Sequence, residues 1–155
     1  MRSAVAASVE TDTQEIYRPL NRRRILCVFP RYTRSFGTMH HAYPLMRNVK
    51  AFMPPQGLLV IAAYLPKDWE VRFIDENKAA AQDRDYRWAD AVFISGMHVQ
   101  RQHILKINST AHAHGKLTVL GGPSVSASPE WYKDIDILHC GELGEVMPAE
   151  FIGVA

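Results

Sequence analysis

Two short segments of the sequence are rich in glycine and small polar residues, Ser95-Gly96-Met97 and Gly121-Gly122-Pro123-Ser124. Each comes at the end of an apolar run that predicts a β-strand. Because glycine has no side chain, a large flat or elongated ligand can approach the backbone closely at such a turn. Glycines also make ordinary tight turns, and either segment alone is open to that interpretation. Together they favour a bulky ligand at the strand ends.

Histidines and carboxylates offer two other kinds of chemistry, metal binding and acid–base catalysis. His40-His41 and His98 carry ring nitrogens that could bind a metal ion. No two histidines have a dependable metal-site spacing, so surface or hydrogen-bonding roles are the alternative. Asp75, Glu76, Glu142 and His98 could act as acids or bases, but none has a nearby nucleophile in a recognisable arrangement. We therefore assign no metal ligand and no catalytic residue.

Signatures of phosphate and nucleic-acid binding are missing from the sequence. No Gly-x-Gly-x-x-Gly follows the first strand, and no Gly-Lys-Ser/Thr of the P-loop type occurs. The 18 basic and 16 acidic residues give a net charge of +2, too small for a phosphate-backbone partner. We expect no nucleic acid among the partners.

Short apolar runs alternate with helical segments along the chain. A helix is predicted over 54–65, between two proline signals, and another over 100–114, with Gly115 as its stop. Strands that alternate with helices form a parallel sheet covered on both faces. We predict a three-layer α/β domain with a flavodoxin-like (Rossmann-like), doubly wound, five-stranded parallel sheet. The predicted strands are 25–29, 70–75, 91–95, 117–120 and 135–139.

Ligands of doubly wound sheets bind beyond the carboxyl ends of the strands, near the point where the winding reverses. The candidate site therefore comprises 30–32, 75–77, 95–100, 121–126 and 141–145. The helix over 54–65 is apolar nearly all round, so we expect it to be deeply packed.

The long segment over 30–53 lacks periodicity, which is typical of functional loops. Its aromatic and methionine side chains could lie against a ligand or pack on one another, and we favour the first. They are Tyr32, Phe36, Tyr43, Phe52, Met39, Met46 and Met53.

The segment 54–75 resembles cobalamin-binding domains fused to radical S-adenosylmethionine (SAM) enzymes. Its residues 54–65, PPQGLLVIAAYL, and 70–75, EVRFID, are similar to the family pattern Pro-Pro-x-Gly-Leu-x-x-Leu-Ala-Ala-x-Leu…Glu-Val-x-x-x-Asp. The turns over 95–101, 121–123 and 141–142 resemble the family in the same order. The resemblance covers about residues 24–145, and it implies cobalamin as the cofactor.

Cobalamin domains more broadly carry an Asp-x-His-x-x-Gly loop, a Ser-x-Leu triplet and a Gly-Gly pair after strands one, three and four. Ser95-x-Met97 and Gly121-Gly122 are similar to the last two. The first motif is absent, and Tyr32 stands where the cobalt-ligating histidine would be. A phenol is a poor neutral ligand, so the resemblance implies a base-off cofactor whose nucleotide tail is inserted along the sheet. The lower axial position would be empty, water-filled or occupied by a residue of the long loop.

The predicted cofactor-binding residues are Pro30, Arg31, Tyr32, Ser95, Gly96, Met97, His98, Gln100, Gly121, Gly122, Pro123, Ser124, Gly141 and Glu142.

Cysteine usage separates this chain from a complete radical SAM enzyme. An iron–sulfur cluster of that type needs three cysteine thiolates, and the chain has two cysteines, Cys27 and Cys140. Both lie in apolar runs, which predicts buried reduced thiols in a cytoplasmic protein. The apolar window 57–65 is too short to span a membrane. We expect a disordered leader over 1–21, the cobalamin-binding-like domain over 22–147 and a tail over 148–155, without the catalytic radical SAM domain.

The main functional hypothesis is a base-off cobalamin-binding module of a radical SAM enzyme, whose parent could be a methyltransferase. Its partners would be cobalamin and a radical SAM domain or a second copy of the chain. The alternative is a cofactor-free interaction or vestigial domain of the same fold, which oligomerises or docks on a partner. A third option is an enzyme that acts alone through the acids and bases above.

Overall fold

The computed structural model describes residues 22–39, 41–49 and 54–142 of the 155-residue chain. The predicted leader over 1–21 and the predicted tail over 148–155 lie outside these ranges. Within them, five strands form one all-parallel sheet. The strands are β1 (Arg24–Phe29), β2 (Glu70–Asp75), β3 (Ala91–Ser95), β4 (Leu117–Gly121) and β5 (Ile137–Leu138).

The strand order across the sheet is β2-β1-β3-β4-β5. The chain passes outward from β1 to β2 and then returns across β1 to β3, so the direction of winding reverses between β1 and β3. This order is that of flavodoxin-like sheets, and the predicted fold class is confirmed. The reversal leaves a crevice beyond the carboxyl ends of the two central strands.

In the part of the chain that the structure describes, four α-helices and four short 3-10 turns accompany the strands. The helices are α1 (Gln56–Tyr64), α2 (Asp83–Trp88), α3 (Arg101–Ala113) and α4 (Pro123–Ala127). The 3-10 turns are Phe36–Thr38, Tyr43–Leu45, His98–Gln100 and Pro129–Trp131. None of the helices in the described ranges has the length and apolar character that a bilayer crossing requires.

Both helices that the sequence pattern predicts are present, and two short ones were missed. α3 occupies the predicted segment and is followed by Gly115, whose φ of 65° gives the left-handed stop. α2 and α4 have six and five residues, too few to establish a helical period in the sequence. α2 is nonetheless capped, since the Gln82 backbone N–H donates to the Asp85 carboxylate at 3.0 Å.

The sheet is covered on both faces, and the side chains of β1 alternate between them. Leu26 and Val28 pack in one core cluster with Ile104 of α3. Cys27 packs in the other with Leu58 of α1. This alternation is the two-residue period of a strand whose two faces are both buried.

The prediction that α1 is deeply packed was wrong. Leu58 is fully buried, but Leu59, Val60 and Tyr64 expose 47%, 44% and 63% of their surface. The helix contacts the sheet along one side, and the opposite side meets none of the described residues closely enough to bury it. Because α1 is apolar on all sides, its sequence could not show which side faces the core.

β5 is shorter than the predicted strand over 135–139. The Thr118 backbone N–H donates to the Asp136 carboxylate at 2.7 Å, so a side chain takes the place of a ladder hydrogen bond. Regular pairing begins one residue later, where Val119 lies opposite Ile137.

The two cysteines have different environments. Cys27 is fully buried in β1, and burial raises the pKa of its thiol to about 12. Cys140 follows β5 and is exposed, so its predicted place inside a buried strand was wrong. Neither forms a disulfide.

Candidate functional site

A cleft of about 570 Å³ opens at the carboxyl ends of the strands, on the side of the sheet that carries α1. The ends of β1, β3 and β4 form its floor, the first turns of α1 form one wall, and the residues after β5 form the other. Its lining comprises Phe29, Tyr32, Pro54, Pro55, Gln56, Gly57, Leu58, Val60, Ile61, Ser95, Gly96, Met97, Gly121, Gly122, Pro123, Ser126, His139, Gly141 and Glu142.

Most of the predicted site residues lie together in this cleft. These are Tyr32, Ser95, Gly96, Met97, Gly121, Gly122, Pro123, Gly141 and Glu142. Pro30, Arg31, His98, Gln100 and Ser124 are outside its lining.

The wall contributed by α1 was missed, although its residues belong to the quoted Pro-Pro-x-Gly pattern. The topological rule predicts ligand contacts at the strand ends and makes no prediction for the helices. The signal that could have found this wall was Gly57, because glycine weakens a helix and needs another reason to be there.

The glycines at the cleft differ in what keeps them small. A Cβ atom on Gly122 would lie 2.6 Å from the Oγ of Ser95, and its φ is 98°. A Cβ atom on Gly96 would meet Ile104 at 3.0 Å, which belongs to the core on the opposite face of the sheet. The backbone conformation and the contact with Ser95 thus restrict Gly122 to glycine, whereas a side chain at position 96 requires Ile104 to shift by a few tenths of an ångström.

Gly121 and Gly57 stand in a different situation. A Cβ atom on Gly121 would have its nearest neighbour, His139, at 3.9 Å, and one on Gly57 would lie 3.5 Å from the Oγ of Ser95. Both distances are ordinary van der Waals contacts. The fold leaves space at these two positions, and that space belongs to the cleft.

Gln100 holds the ends of β1 and β3 together beneath the cleft. Its side chain is fully buried, its Oε1 accepts a hydrogen bond from the Met97 N–H at 2.8 Å, and its Nε2 donates to the Pro30 carbonyl. Gln100 is thus a support of the cleft floor, although it does not line the cleft.

Ser124 and Tyr132 fix the turn after β4 against the turn after β3. The Ser124 backbone N–H donates to the Gly96 carbonyl at 3.2 Å, and its hydroxyl shares a 2.5 Å hydrogen bond with the Tyr132 hydroxyl. Both side chains are buried, so the separation of the two turns is set by the fold.

The turns after β1 and β2 are joined through Asn77. Its Oδ1 accepts from the Tyr32 backbone N–H at 2.9 Å, and its Nδ2 donates to Asp75 at 2.8 Å and to the Pro30 carbonyl at 3.3 Å. Arg31 is exposed and reaches the Glu76 carbonyl at 3.4 Å. Asp75 and Glu76 thus serve local contacts, and neither lines the cleft.

Tyr32 lines the cleft and has 8% of its surface exposed. Its ring meets Phe29 edge to face at a centroid distance of 5.6 Å. Burial, with a smaller contribution from the charge of Asp75, raises the pKa of its phenol. The hydroxyl oxygen has no hydrogen-bond partner among the residues that the structure describes.

The histidines considered as ligands are placed apart. His98 packs on Trp131 with ring centroids 4.4 Å apart, and Arg101 lies over the same ring at 4.1 Å. His41 is exposed, and His40 lies outside the described residues. Over the ranges that the structure covers, no three histidine, cysteine or carboxylate side chains are grouped as a metal site.

The aromatic side chains of the long loop are divided between the two predicted roles. Tyr32 lines the cleft, whereas Tyr43 donates its hydroxyl to the Thr38 carbonyl at 2.8 Å inside the loop itself. Met39 and Met46 are exposed, while Phe52 and Met53 lie outside the described residues.

Comparison with known families gives one match that covers most of the chain. Residues 43–149 match the model of the B12 binding domain family. The matched region includes α1, the strand ends after β2 to β5 and nearly all of the cleft lining.

Several proteins of known sequence are similar to the chain. The hopanoid C-2 methylase of Rhodopseudomonas palustris is 65% identical over 123 residues, which are 79% of this chain and 23% of the methylase. An uncharacterized methyltransferase of Synechocystis is 35% identical over 124 residues, 77% of this chain and 23% of that protein. The bacteriochlorophyllide d C-12(1)-methyltransferase of Chlorobaculum tepidum is 27% identical over 96 residues, 62% of this chain and 20% of the enzyme. The chain thus spans less than a quarter of the length of these relatives.

Proposed function

Because this chain belongs to the B12-binding domain family, cobalamin is its cofactor, and we propose that the chain holds it base-off as the cobalamin module of a radical SAM methyltransferase. In this form the cleft between α1 and the strand ends would hold the nucleotide tail of the cofactor. When bound, the cofactor supplies methyl-transfer chemistry, and the residues of this chain position it and exclude water.

The observation that carries the proposal is the unfilled space at Gly121 and Gly57. Both glycines line the cleft, and the fold around each would accept a Cβ atom without a clash. Glycine at the end of a strand and in the first turn of a helix costs conformational entropy, which needs a compensating use. A ligand segment inserted between α1 and the end of β4 is such a use, and the nucleotide tail has the elongated shape for it.

The loop after β1 favours a cofactor without a histidine ligand from this position. Tyr32 occupies the place that histidine takes in the broader cobalamin family, and burial raises the pKa of its phenol. The group is therefore a neutral phenol at physiological pH, which is a weak metal ligand. Tyr32 would then lie beside the cofactor without binding its metal ion.

The role of the chain in a larger enzyme follows from its relatives. Two of the similar proteins are named methyltransferases and a third a methylase, and each is several times longer than this chain. The two cysteines of the chain cannot supply the three thiolates of a radical SAM cluster. We place the cluster and the substrate, a lipid-like or other small molecule with an unactivated carbon, on a partner radical SAM domain. The two free thiols favour a reducing compartment such as the cytoplasm.

The test is a titration of the purified chain with hydroxocobalamin and methylcobalamin, followed by the visible spectrum and by calorimetry. We expect saturable binding and, with methylcobalamin, the spectral change of the base-off form. Absence of binding at tens of micromolar cofactor would contradict cobalamin binding by this chain. Binding with an unchanged base-on spectrum would contradict the base-off arrangement alone.

A docking function for the same domain is a second candidate. It is favoured by the exposed apolar side of α1 at Leu59 and Tyr64, neither of which lines the cleft. A radical SAM domain or a second copy of the chain could cover this side. Size-exclusion chromatography over a range of concentrations separates the possibilities, because a self-associating chain elutes earlier as its concentration rises. A Leu59→Ser, Tyr64→Ser variant that elutes like the wild type at every concentration would contradict self-association through α1.

A further inference from the structure

The hydroxyl group of Tyr32 is a buried polar group without a hydrogen bond to any of the residues that the structure describes. The residue is 8% exposed, and its phenol oxygen has no hydrogen-bond partner in the described part of the chain. Buried hydroxyl groups are almost always paired, because an unpaired one forfeits the hydrogen bonds that it makes with water in the unfolded chain. A phenylalanine at this position would fill the same space without that cost.

The surroundings of Tyr32 hold the ring in a fixed place. The ring meets Phe29 edge to face, with an angle of 78° between the ring planes. The backbone N–H of Tyr32 donates to Asn77, which also binds the Pro30 carbonyl. The ring is therefore held on a rigid support at the end of β1, beside the reversal point of the sheet, and the residue lines the cleft.

Two other tyrosine hydroxyls, those of Tyr43 and Tyr132, have partners within the fold. Tyr43 donates to the Thr38 carbonyl at 2.8 Å, and Tyr132 shares a hydrogen bond with Ser124 at 2.5 Å. Neither of these tyrosines lines the cleft, whereas Tyr32 does. Of these three tyrosines, the one with an unpaired hydroxyl is the one that lines the cofactor cleft.

We propose that the Tyr32 hydroxyl donates a hydrogen bond to an acceptor oxygen of bound cobalamin, and that Tyr32 is a positioning residue for the cofactor rather than a ligand of cobalt. The inference rests on the proposed function. Suitable acceptors are the amide carbonyls around the corrin ring and the phosphate of the nucleotide tail. Burial and the charge of Asp75 raise the pKa of the phenol, so the proton needed for donation is present at neutral pH.

The experiment compares Tyr32→Phe with the wild-type chain, and Tyr43→Phe serves as the matched control. Each variant removes one hydroxyl from a loop tyrosine and keeps the ring. Hydroxocobalamin and cobinamide, which keeps the corrin amides but lacks the nucleotide tail, are titrated by calorimetry. Urea unfolding of the cofactor-free chain is measured in parallel.

We expect Tyr32→Phe to weaken cobalamin binding about tenfold, the value of one hydrogen bond, and to leave the urea midpoint equal or higher. Tyr43→Phe should show the reverse pattern, with unchanged affinity and a lower midpoint, because it removes a bond within the fold. Equal weakening toward cobalamin and cobinamide supports a corrin amide as the acceptor. Weakening toward cobalamin alone supports the tail phosphate.

Two results would overturn the inference. If Tyr32→Phe binds cobalamin as tightly as the wild-type chain, the hydroxyl does not contact the cofactor. The proposed function would remain intact. A lower urea midpoint of cofactor-free Tyr32→Phe would show that the hydroxyl has a partner within the fold. Failure of the wild-type chain to bind cobalamin would instead remove the proposed function and this inference together.

Discussion

The Oγ atom of Ser95 lies against the backbone of Gly122, at 2.6 Å from the point where a Cβ atom would be. Ser95 ends β3 and Gly122 follows β4, so the contact joins the turns of two neighbouring strands. The φ of 98° at Gly122 is in the left-handed region, which further restricts the position to glycine. The small size of both residues is thus needed for the packing of these two turns in the cofactor-free fold.

Replacement of Gly122 by alanine should therefore destabilise the cofactor-free chain. We expect a loss of about 2 kcal/mol, since the substitution adds both a steric contact and backbone strain. In a Ser95→Ala background part of this loss should be recovered, because the clash is relieved while the strain remains. Urea unfolding of the two single variants and the double variant measures the coupling. Additive losses would show that Ser95 is not the limiting contact.

Substitution of Gly121 should not destabilise the cofactor-free chain, so its effect on cobalamin affinity is the better test of the cleft. Gly121→Ala should keep or raise stability by up to about 0.5 kcal/mol, because its Cβ atom has room and the unfolded chain loses freedom. Gly121→Leu should reduce cobalamin affinity by roughly a hundredfold, since its side chain enters space needed by the cofactor.

Gly37→Leu is the matched control for Gly121→Leu. Its added Cβ atom would also have its nearest neighbour at 3.9 Å, but Gly37 lies outside the cleft lining. Calorimetric titration with hydroxocobalamin compares the two variants. Equal affinities of Gly121→Leu and Gly37→Leu would be incompatible with a ligand at the end of β4.

Gly57→Ala should separate stability from cofactor binding in a single substitution. Alanine favours helix over glycine, so α1 should gain about 0.5 kcal/mol in the cofactor-free chain. The same methyl group lies beside Ser95 in the cleft and should weaken cobalamin binding about tenfold.

Ala63→Gly, on the exposed side of the same helix, should do the converse and lower stability without a change in affinity. Thermal unfolding and calorimetric titration of both variants check the pair. A Gly57→Ala variant that is more stable and binds as tightly as the wild type would contradict the assignment of α1 as a wall of the site.

Asp136 should make stability depend on pH in the acid range. Burial acts to raise the pKa of its carboxyl group, but hydrogen bonds from His112 at 2.9 Å and from the N–H and hydroxyl of Thr118 outweigh it and lower the pKa. A carboxyl group with a depressed pKa stabilises the fold above its unfolded pKa of about 3.9, and this contribution is lost as pH falls through the lower, folded value.

Asp136→Asn removes that titration. We expect the wild-type chain to be the more stable of the two at about pH 6, with the difference shrinking toward about pH 3. Urea unfolding at several pH values measures it. A difference that stays constant with pH would show that Asp136 contributes no charge-dependent stability.

The strands of this domain could be predicted from sequence for two reasons. β3 is buried along its whole length, and this burial dictates an apolar run with the predicted limits. β2 is mostly exposed, and its limits were predictable because apolar and charged residues alternate along it. β5 was overestimated because its limit is set by the side chain of Asp136, a contact between distant residues. The exposed side of α1 could not be predicted either, since its apolar residues do not distinguish core from surface.

The candidate site was predictable in outline for a topological reason. Parallel strands bring their carboxyl ends to one edge, so the turns containing Ser95, Gly121 and Gly141 were expected to meet there. The directions of the side chains in these turns could not be predicted from the topology. The 3-10 turn His98–Gln100 directs Gln100 into the core and His98 onto Trp131, and neither contact has a local sequence signal.

The Gln100 side chain also has a mechanical consequence. The side chain forms hydrogen bonds with both Met97 and Pro30, which follow β3 and β1. The carboxyl ends of these two strands should therefore move together as a rigid unit. A local opening of the cleft that admits a large cofactor should then occur on the α1 side. Displacement of this single, weakly buried helix requires the least free energy. Amide hydrogen exchange should accordingly be slow at Met97 and fast along the outer side of α1.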